Sequence, residues 1–224
     1  MGDCIAIIPA RGGSKRIPKK NIKKFLGKEI ILYPIDTALE TNIFKDVVVS
    51  TDDTKIAEIA MKRGASVPFK RSKKNSDDWA STFDVIEEVL NKIEDSYQFI
   101  CCLYPTSVFV KSDHLLTALN MLKRDENLSS VSSVVKYSHP VERRLKIESD
   151  ILSIVNKQKF DNRSQDLENY YHDAGQFYFS RTSHIMKERE IILEKTKPII
   201  LGNHECQDID NVEEIGLYNA IFLT

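Results

Sequence analysis

Three short apolar runs, 4–9 (Cys-Ile-Ala-Ile-Ile-Pro), 46–51 (Asp-Val-Val-Val-Ser-Thr) and 99–104 (Phe-Ile-Cys-Cys-Leu-Tyr), constrain this chain more than anything else in it. A run that is apolar at successive positions, rather than at alternate ones, suits a strand covered on both faces. Between the runs the apolar spacing turns helical. Residues 30–41 carry Ile31, Ile35, Ala38 and Leu39 on one face; 54–63 form a second periodic stretch that stops at Gly64; and 81–94 form a third. Strands alternating with helices of this length predict βαβ units and a mostly parallel sheet, an α/β fold. Ligands of such sheets bind beyond the carboxyl ends of the strands. Three polar loops fall there: 11–21, 51–53 and 104–107.

The rhythm changes after about residue 128. Residues 130–137, 144–148 and 151–155 read as shorter strands, with Ser149-Asp150 as a tight turn, and a polar loop over 156–173 precedes another strand at 174–180. This pattern predicts an antiparallel excursion, over about 129–180, within one domain spanning 1–224. A strand at 198–201 and a final helix beginning near Asn211 complete the reading.

The first polar loop concentrates charge. Arg11 to Lys28 holds eight Lys and Arg and no acidic residue, whereas the rest of the chain carries 24 basic against 33 acidic residues. A basic, glycine-bearing loop after a buried strand suits a compact polyanion such as a nucleoside triphosphate, because backbone N–H groups and cations converge there. Gly12 and Gly13 let the backbone approach a ligand without a Cβ in the way. The spacing is neither Gly-x-x-x-x-Gly-Lys-Ser/Thr nor Gly-x-Gly-x-x-Gly, which disfavours P-loop ATPases, kinases and dinucleotide dehydrogenases. A formal net charge of −1 and the lack of interleaved aromatics argue against an RNA-binding loop, so no nucleic-acid partner is expected. No apolar stretch approaches 18 residues, and Cys4, Cys101, Cys102 and Cys206 include no pair with metal or redox spacing. A cytoplasmic protein with reduced thiols and no membrane partner is expected.

The loop Ile8-Pro-Ala-Arg-Gly-Gly-Ser-Lys-Arg-Ile-Pro-Lys-Lys-Asn21 resembles the signature of the cytidylyltransferases that activate nonulosonic (sialic-type) acids. The likeness continues through Val49-Ser-Thr-Asp-Asp53, Val67-Pro-Phe-Lys-Arg71 with the downstream Asp78, Tyr104-Pro-Thr-Ser107 and Gln207-Asp-Ile-Asp210, nearly the full chain in the family's order. Arg163-Ser-Gln-Asp-Leu-Glu168 with Tyr171-His-Asp-Ala-Gly-Gln-Phe-Tyr178 is similar to the pseudaminic acid branch. Sialic acid enzymes typically carry an Asn-Gly-Ala motif in place of His172 to Gln176, and Gln in place of Tyr104. The departures therefore bear on the sugar rather than on the reaction. Legionaminic and N-acetylneuraminic acids remain alternatives, as does a non-catalytic nucleotide-binding module on the same fold.

The resemblance implies a Rossmann-like three-layer nucleotidyltransferase fold, with the antiparallel excursion mediating a homodimer and contributing to the sugar site. It implies transfer of CMP from CTP to a nonulosonic acid, with Arg11 and Lys20 as catalytic cations. Ala10, Arg11, Gly12, Gly13, Ser14, Lys15, Lys20, Asn21, Arg71, Ala80 and Thr82 would bind the nucleotide, Ala80 through its backbone. Arg71 also reads as a surface cation beside Lys70, Lys73 and Lys74. Tyr104, Thr106, Ser107, Arg163, Gln165, His172, Asp173 and Gln176 would bind the sugar. His172 and Asp173, adjacent in an extended segment, point to opposite faces and are expected to bind rather than form an acid–base dyad. Asp208 and Asp210, two apart, suit one hard cation, Mg2+ or Mn2+, although Asp210 with Glu213 also reads as a helix cap. Asp52 and Asp53 are expected to cap the helix at 54 and are left out of the site.

Overall fold

A computed structural model of the protein describes residues 3–15 and 17–206. Asp208, Asp210 and the helix expected from Asn211 lie outside the described residues. The elements run β1 (Cys4–Pro9), the small hairpin β2 (Lys24–Phe25) and β3 (Lys28–Glu29), α1 (Leu32–Glu40), β4 (Asp46–Ser50), α2 (Thr54–Arg63), α3 (Thr82–Lys92), β5 (Phe99–Leu103), α4 (Ser112–Arg124) and β6 (Ser130–Lys136). They continue with the hairpin β7 (Leu145–Glu148) and β8 (Ile151–Ile154), α5 (Lys157–Phe160), β9 (Tyr171–Arg181), α6 (Thr182–Glu188) and β10 (Thr196–Leu201).

Six strands form one sheet in the order β10-β6-β9-β5-β1-β4. Pairing is parallel for β1 with β4, β1 with β5 and β6 with β10, while β9 runs antiparallel to both β5 and β6. Five strands therefore point one way and β9 the other, so the sheet is mostly parallel as the sequence predicts. Alternate residues of β1 serve opposite cores, as the two-residue period of a strand requires. Ala6 and Ile8 pack with Ile35 of α1, Ala60 of α2 and Leu119 of α4; Ile5 and Ile7 pack with Ile86 of α3 and Ile185 of α6. The result is three layers, helix on sheet on helix.

Local chemistry sets the helix ends. Asp53 Oδ1 accepts from the N–H groups of Lys55 and Ile56, 2.8 and 3.0 Å away, and caps α2 as expected. Gly64 ends α2 at φ 106°, a left-handed geometry favouring glycine. Ser81 and Asp84 close a capping box on α3.

The expected excursion is redrawn in one respect. Residues 130–136 form β6 of the central sheet, reached from β5 through α4, a helix the sequence reading did not single out. The hairpin β7–β8 stands apart, turning at Ser149 and Asp150 with φ of 49° and 63°. Positive φ at both turn residues matches the right-handed twist of the strands they join.

Candidate active site

The expected loops do meet at the carboxyl ends of β1, β4 and β5. Because β9 runs against them, its first residues, not its last, arrive at that edge: Phe177 pairs with Leu103, the end of β5, and Tyr171 to Asp173 extend past β5 while still paired with β6. A cleft of ≈ 560 Å³ opens there. It gathers Arg11, Ser14, Lys15, Lys20, Asn21, Arg71, Ala80, Thr82, Tyr104 and Thr106 from the expected site, joined by Asn75, Asp77, Asp78 and Gly175.

The basic loop is braced from beneath. The Ala10 N–H donates to the Ser50 carbonyl (2.9 Å), the Gly12 N–H to Asp52 Oδ1 (2.8 Å), and Asn21 Nδ2 to the Arg11 carbonyl (3.0 Å). A Cβ on Gly12 would lie 2.8 Å from Cβ of Asp53, so only glycine fits this approach. Gly13 meets nothing within 4 Å. Ala10 is buried, and neither it nor the two glycines lines the cleft; they shape the loop that presents Arg11, Ser14, Lys15 and Lys20. Lys28 turns away to pair with Asp36 of α1.

The facing wall is a loop docked on α3, where Glu88 accepts from the Ser72 N–H (3.1 Å) and from Asn75 Nδ2 (2.9 Å). Arg71 is not the surface cation its lysine-rich surroundings allow: it is 5 % exposed. Its Nε donates to Ser50 Oγ at 3.0 Å and its Nη2 to the Ser50 carbonyl. Burial pushes its guanidinium down to about 10, against the opposing fields of Asp52 and Glu88. The Ala80 N–H is also spent, donating to Asp77 Oδ1 at 2.8 Å, which leaves its carbonyl for a ligand. Asp77 and Asp78 reach across to the basic loop. Arg11 Nη1 donates to the Asp77 carbonyl (2.9 Å) and Asp78 Oδ1 (2.8 Å), and Lys15 pairs with Asp78 Oδ2.

A second cavity of ≈ 380 Å³ adjoins the first and shares Tyr104 and Gly175 with it. His172, Asp173, Ala174, Tyr178 and Cys206 complete it. The Tyr104 hydroxyl lies 2.9 Å from Thr82 Oγ1, and its ring is 5.3 Å from that of Tyr178. Tyr178 donates its hydroxyl to Asp173 Oδ2, while the Gly175 N–H donates to Asp173 Oδ1 at 2.9 Å. Burial raises the pKa of both tyrosines, so each stays a protonated donor at neutral pH. His172 Nδ1 meets the Asp173 backbone carbonyl (2.9 Å), not its carboxylate. The two are no dyad.

Four expected sugar ligands line neither cavity. Ser107 and Gln176 are buried braces: Ser107 Oγ donates to the Gln176 carbonyl (2.8 Å), and Gln176 Nε2 to the Glu205 carbonyl (2.9 Å). Arg163 and Gln165 are exposed on the segment after α5, which Arg143 Nη2 holds through the Asn162 carbonyl. Sequence reasoning missed Asp52, Asp77, Asp78 and Tyr178 as parts of the site. Asp52, Asp78 and Tyr178 stood in the sequence within family markers but without a role of their own, and Asp77 carried only the signature of a turn.

Comparison with known proteins follows the same lines. The family model for cytidylyltransferases matches residues 5–222. The curated pseudaminic acid cytidylyltransferase of Campylobacter jejuni is 37% identical over 222 residues, covering 97% of this chain and 95% of that protein. The CMP-N,N'-diacetyllegionaminic acid synthase of Legionella pneumophila is 33% identical, over 92% of this chain and 90% of that one. Among solved structures, CMP:2-keto-3-deoxy-manno-octonic acid synthetase complexed with CTP superposes with a TM-score of 0.73, covering 98% of each chain at 18% identity, a likeness of fold alone.

Proposed function

The chain belongs to the cytidylyltransferase family, and is thus a nucleotidyl-transferring enzyme; we propose that it joins CTP to pseudaminic acid, giving the CMP-sugar and pyrophosphate. The observation that carries this reading is the pair of adjoining cavities: one is rimmed by the cations Arg11, Lys15 and Lys20, the other is walled by Tyr104, Tyr178, His172 and Asp173, and Tyr104 and Gly175 belong to both. A donor polyphosphate and an acceptor sugar can meet across that shared wall. Tyr104 and the 172–176 segment, where the chain departs from the sialic acid pattern, line or brace the acceptor cavity.

In the reaction the sugar's anomeric hydroxyl releases its proton to solvent and its oxygen forms a bond to the α-phosphorus of CTP as the bond from that phosphorus to the bridging β-phosphate oxygen breaks, and pyrophosphate leaves. Arg11 and Lys20 offset the charge that develops on the phosphoryl oxygens, and the internal bracing of the basic loop holds those cations where the oxygens would sit. Asp173, held by two donors, and the Tyr104 hydroxyl orient the sugar.

Asp208 and Asp210 are the carboxylates we assign to Mg2+ or Mn2+. Cys206, two residues before Asp208 in the sequence, lines the acceptor cavity, and its thiol donates to the Ala174 carbonyl at 3.2 Å. Their all-oxygen chemistry fits a hard cation. The ion would neutralise phosphate charge when bound.

A homodimer through β7–β8 is part of the proposal. Leu145, Ile147 and Leu152, which share one face of the hairpin, are 46 %, 71 % and 61 % exposed, and a lone hairpin with an open apolar face is marginal by itself. A second copy would cover it and could bring Arg163 and Gln165 to a neighbouring site. A cytoplasmic location is supported by free cysteines, of which Cys4, Cys101 and Cys102 are buried, and by the lack, among the described residues, of a helix long and apolar enough to cross a membrane. The test is pyrophosphate release from CTP with Mg2+ and, in turn, pseudaminic, legionaminic and N-acetylneuraminic acids. Release fastest with pseudaminic acid is expected; no release with it ends the assignment.

A further inference from the structure

Asp78 engages the basic loop from across the donor cavity. Its two oxygens are divided between two cations, Oδ1 taking Arg11 at 2.8 Å and Oδ2 taking Lys15, from a loop 67 residues away in sequence. The pairing is built rather than incidental. Asp77 Oδ1 receives the N–H groups of Trp79 and Ala80, both at 2.8 Å, and Asn75 is tied to Glu88 of α3, so the carboxylate is presented from a folded turn. The partly exposed Arg11 and the largely exposed Lys15, sharing one exposed carboxylate, keep a net positive charge, and such solvent-accessible pairs stabilise little. A polyphosphate carrying several negative charges has the stronger claim on both.

We infer that Asp78 is an internal counter-anion: it holds Arg11 and Lys15 in the empty site, yields them to the polyphosphate of CTP, and takes them back as pyrophosphate departs. The inference rests on reading this cavity as the polyphosphate site. Hydrogen bonds from Lys15 and then Arg11 hold the Asp78 carboxyl below the usual range, so it remains charged at neutral pH and competes throughout. Keeping the cations paired spares the empty loop their mutual repulsion. Competing for them weakens the grip on the leaving product, which speeds its exit.

The chain carries a single tryptophan, Trp79, next to Asp78 and 91 % exposed, so intrinsic fluorescence reports this loop directly. Pyrophosphate is titrated into the whole protein with Mg2+, and the binding constants are checked by calorimetry. Asp78→Asn is expected to bind pyrophosphate about 3–10-fold tighter than the natural chain, the gap shrinking as salt is raised. Asp78→Glu, which keeps the charge, is expected to stay within about twofold. Equal or weaker binding by Asp78→Asn overturns the inference, whether through lost loop order or through no effect. Failure of the natural chain to bind either pyrophosphate or CTP would instead remove the polyphosphate reading, and this inference with it.

Discussion

The two adjoining cavities are built by opposite means. In the donor cavity, backbone is held by carboxylate and amide braces from neighbouring strand ends, Asp52 on Gly12 and Asn21 on Arg11, and cations are left facing the space. In the acceptor cavity aromatic rings form the wall, and a chain of hydroxyls, Thr82 to Tyr104 and Tyr178 to Asp173, fixes them. The first arrangement stabilises charge that moves during a reaction. The second recognises a shape and a set of hydroxyls that stay the same. Lesions in the first should therefore register in turnover, and lesions in the second in sugar affinity.

The largest test of that division is Lys20→Ala, expected to lower kcat about 10²–10³-fold with sugar KM little changed, against a much smaller loss for Lys23→Ala in the same steady-state assay. Equal losses at the two lysines would dissolve the contrast. Next is Tyr178→Phe, which leaves Asp173 Oδ2 without its donor in a half-buried site. About a tenfold rise in sugar KM, with CTP KM within about twofold, is expected from initial rates at saturating partner substrate. A fall in kcat alone would move Tyr178 into the chemistry. Asp52→Ala removes the acceptor beneath Gly12 and should raise CTP KM about fivefold without touching sugar KM. The smallest effect is expected at the shared wall. Thr82→Val frees the Tyr104 hydroxyl, and both KM values should rise together by about threefold; a change confined to one substrate would place Tyr104 in one cavity only.

Much of the donor cavity was legible because its determinants are local. The buried runs that became β1, β4 and β5 are apolar on both faces, Asp53 and Gly64 mark the two ends of α2, and the basic loop announces itself by charge. What escaped were contacts made across the chain. Nothing near Asp78 tells that its carboxylate meets Arg11, and a lysine-rich neighbourhood hides that Arg71 turns inward to Ser50. Strand β9 was expected to begin at 174 because Tyr171, His172 and Asp173 are exposed and mixed in polarity; they are strand only because β6 pairs with them. Arg163 and Gln165 were expected in the sugar site through the family motif, and they line neither cavity of the single chain. The resemblance supplied a role for them that the single chain's own contacts do not support.

The reversed course of β9 has a practical consequence. The segment that carries acceptor recognition enters the sheet from an external loop, whereas the donor machinery hangs from the ends of strands running the other way. Residues 156–176 can then be exchanged for the matching stretch of a relative with a different sugar, leaving the strand ends that hold the nucleotide where they are. On the proposed reading, a graft of this loop and half-strand would change the acceptor wall only in part, since Tyr104 and Tyr178 lie outside it.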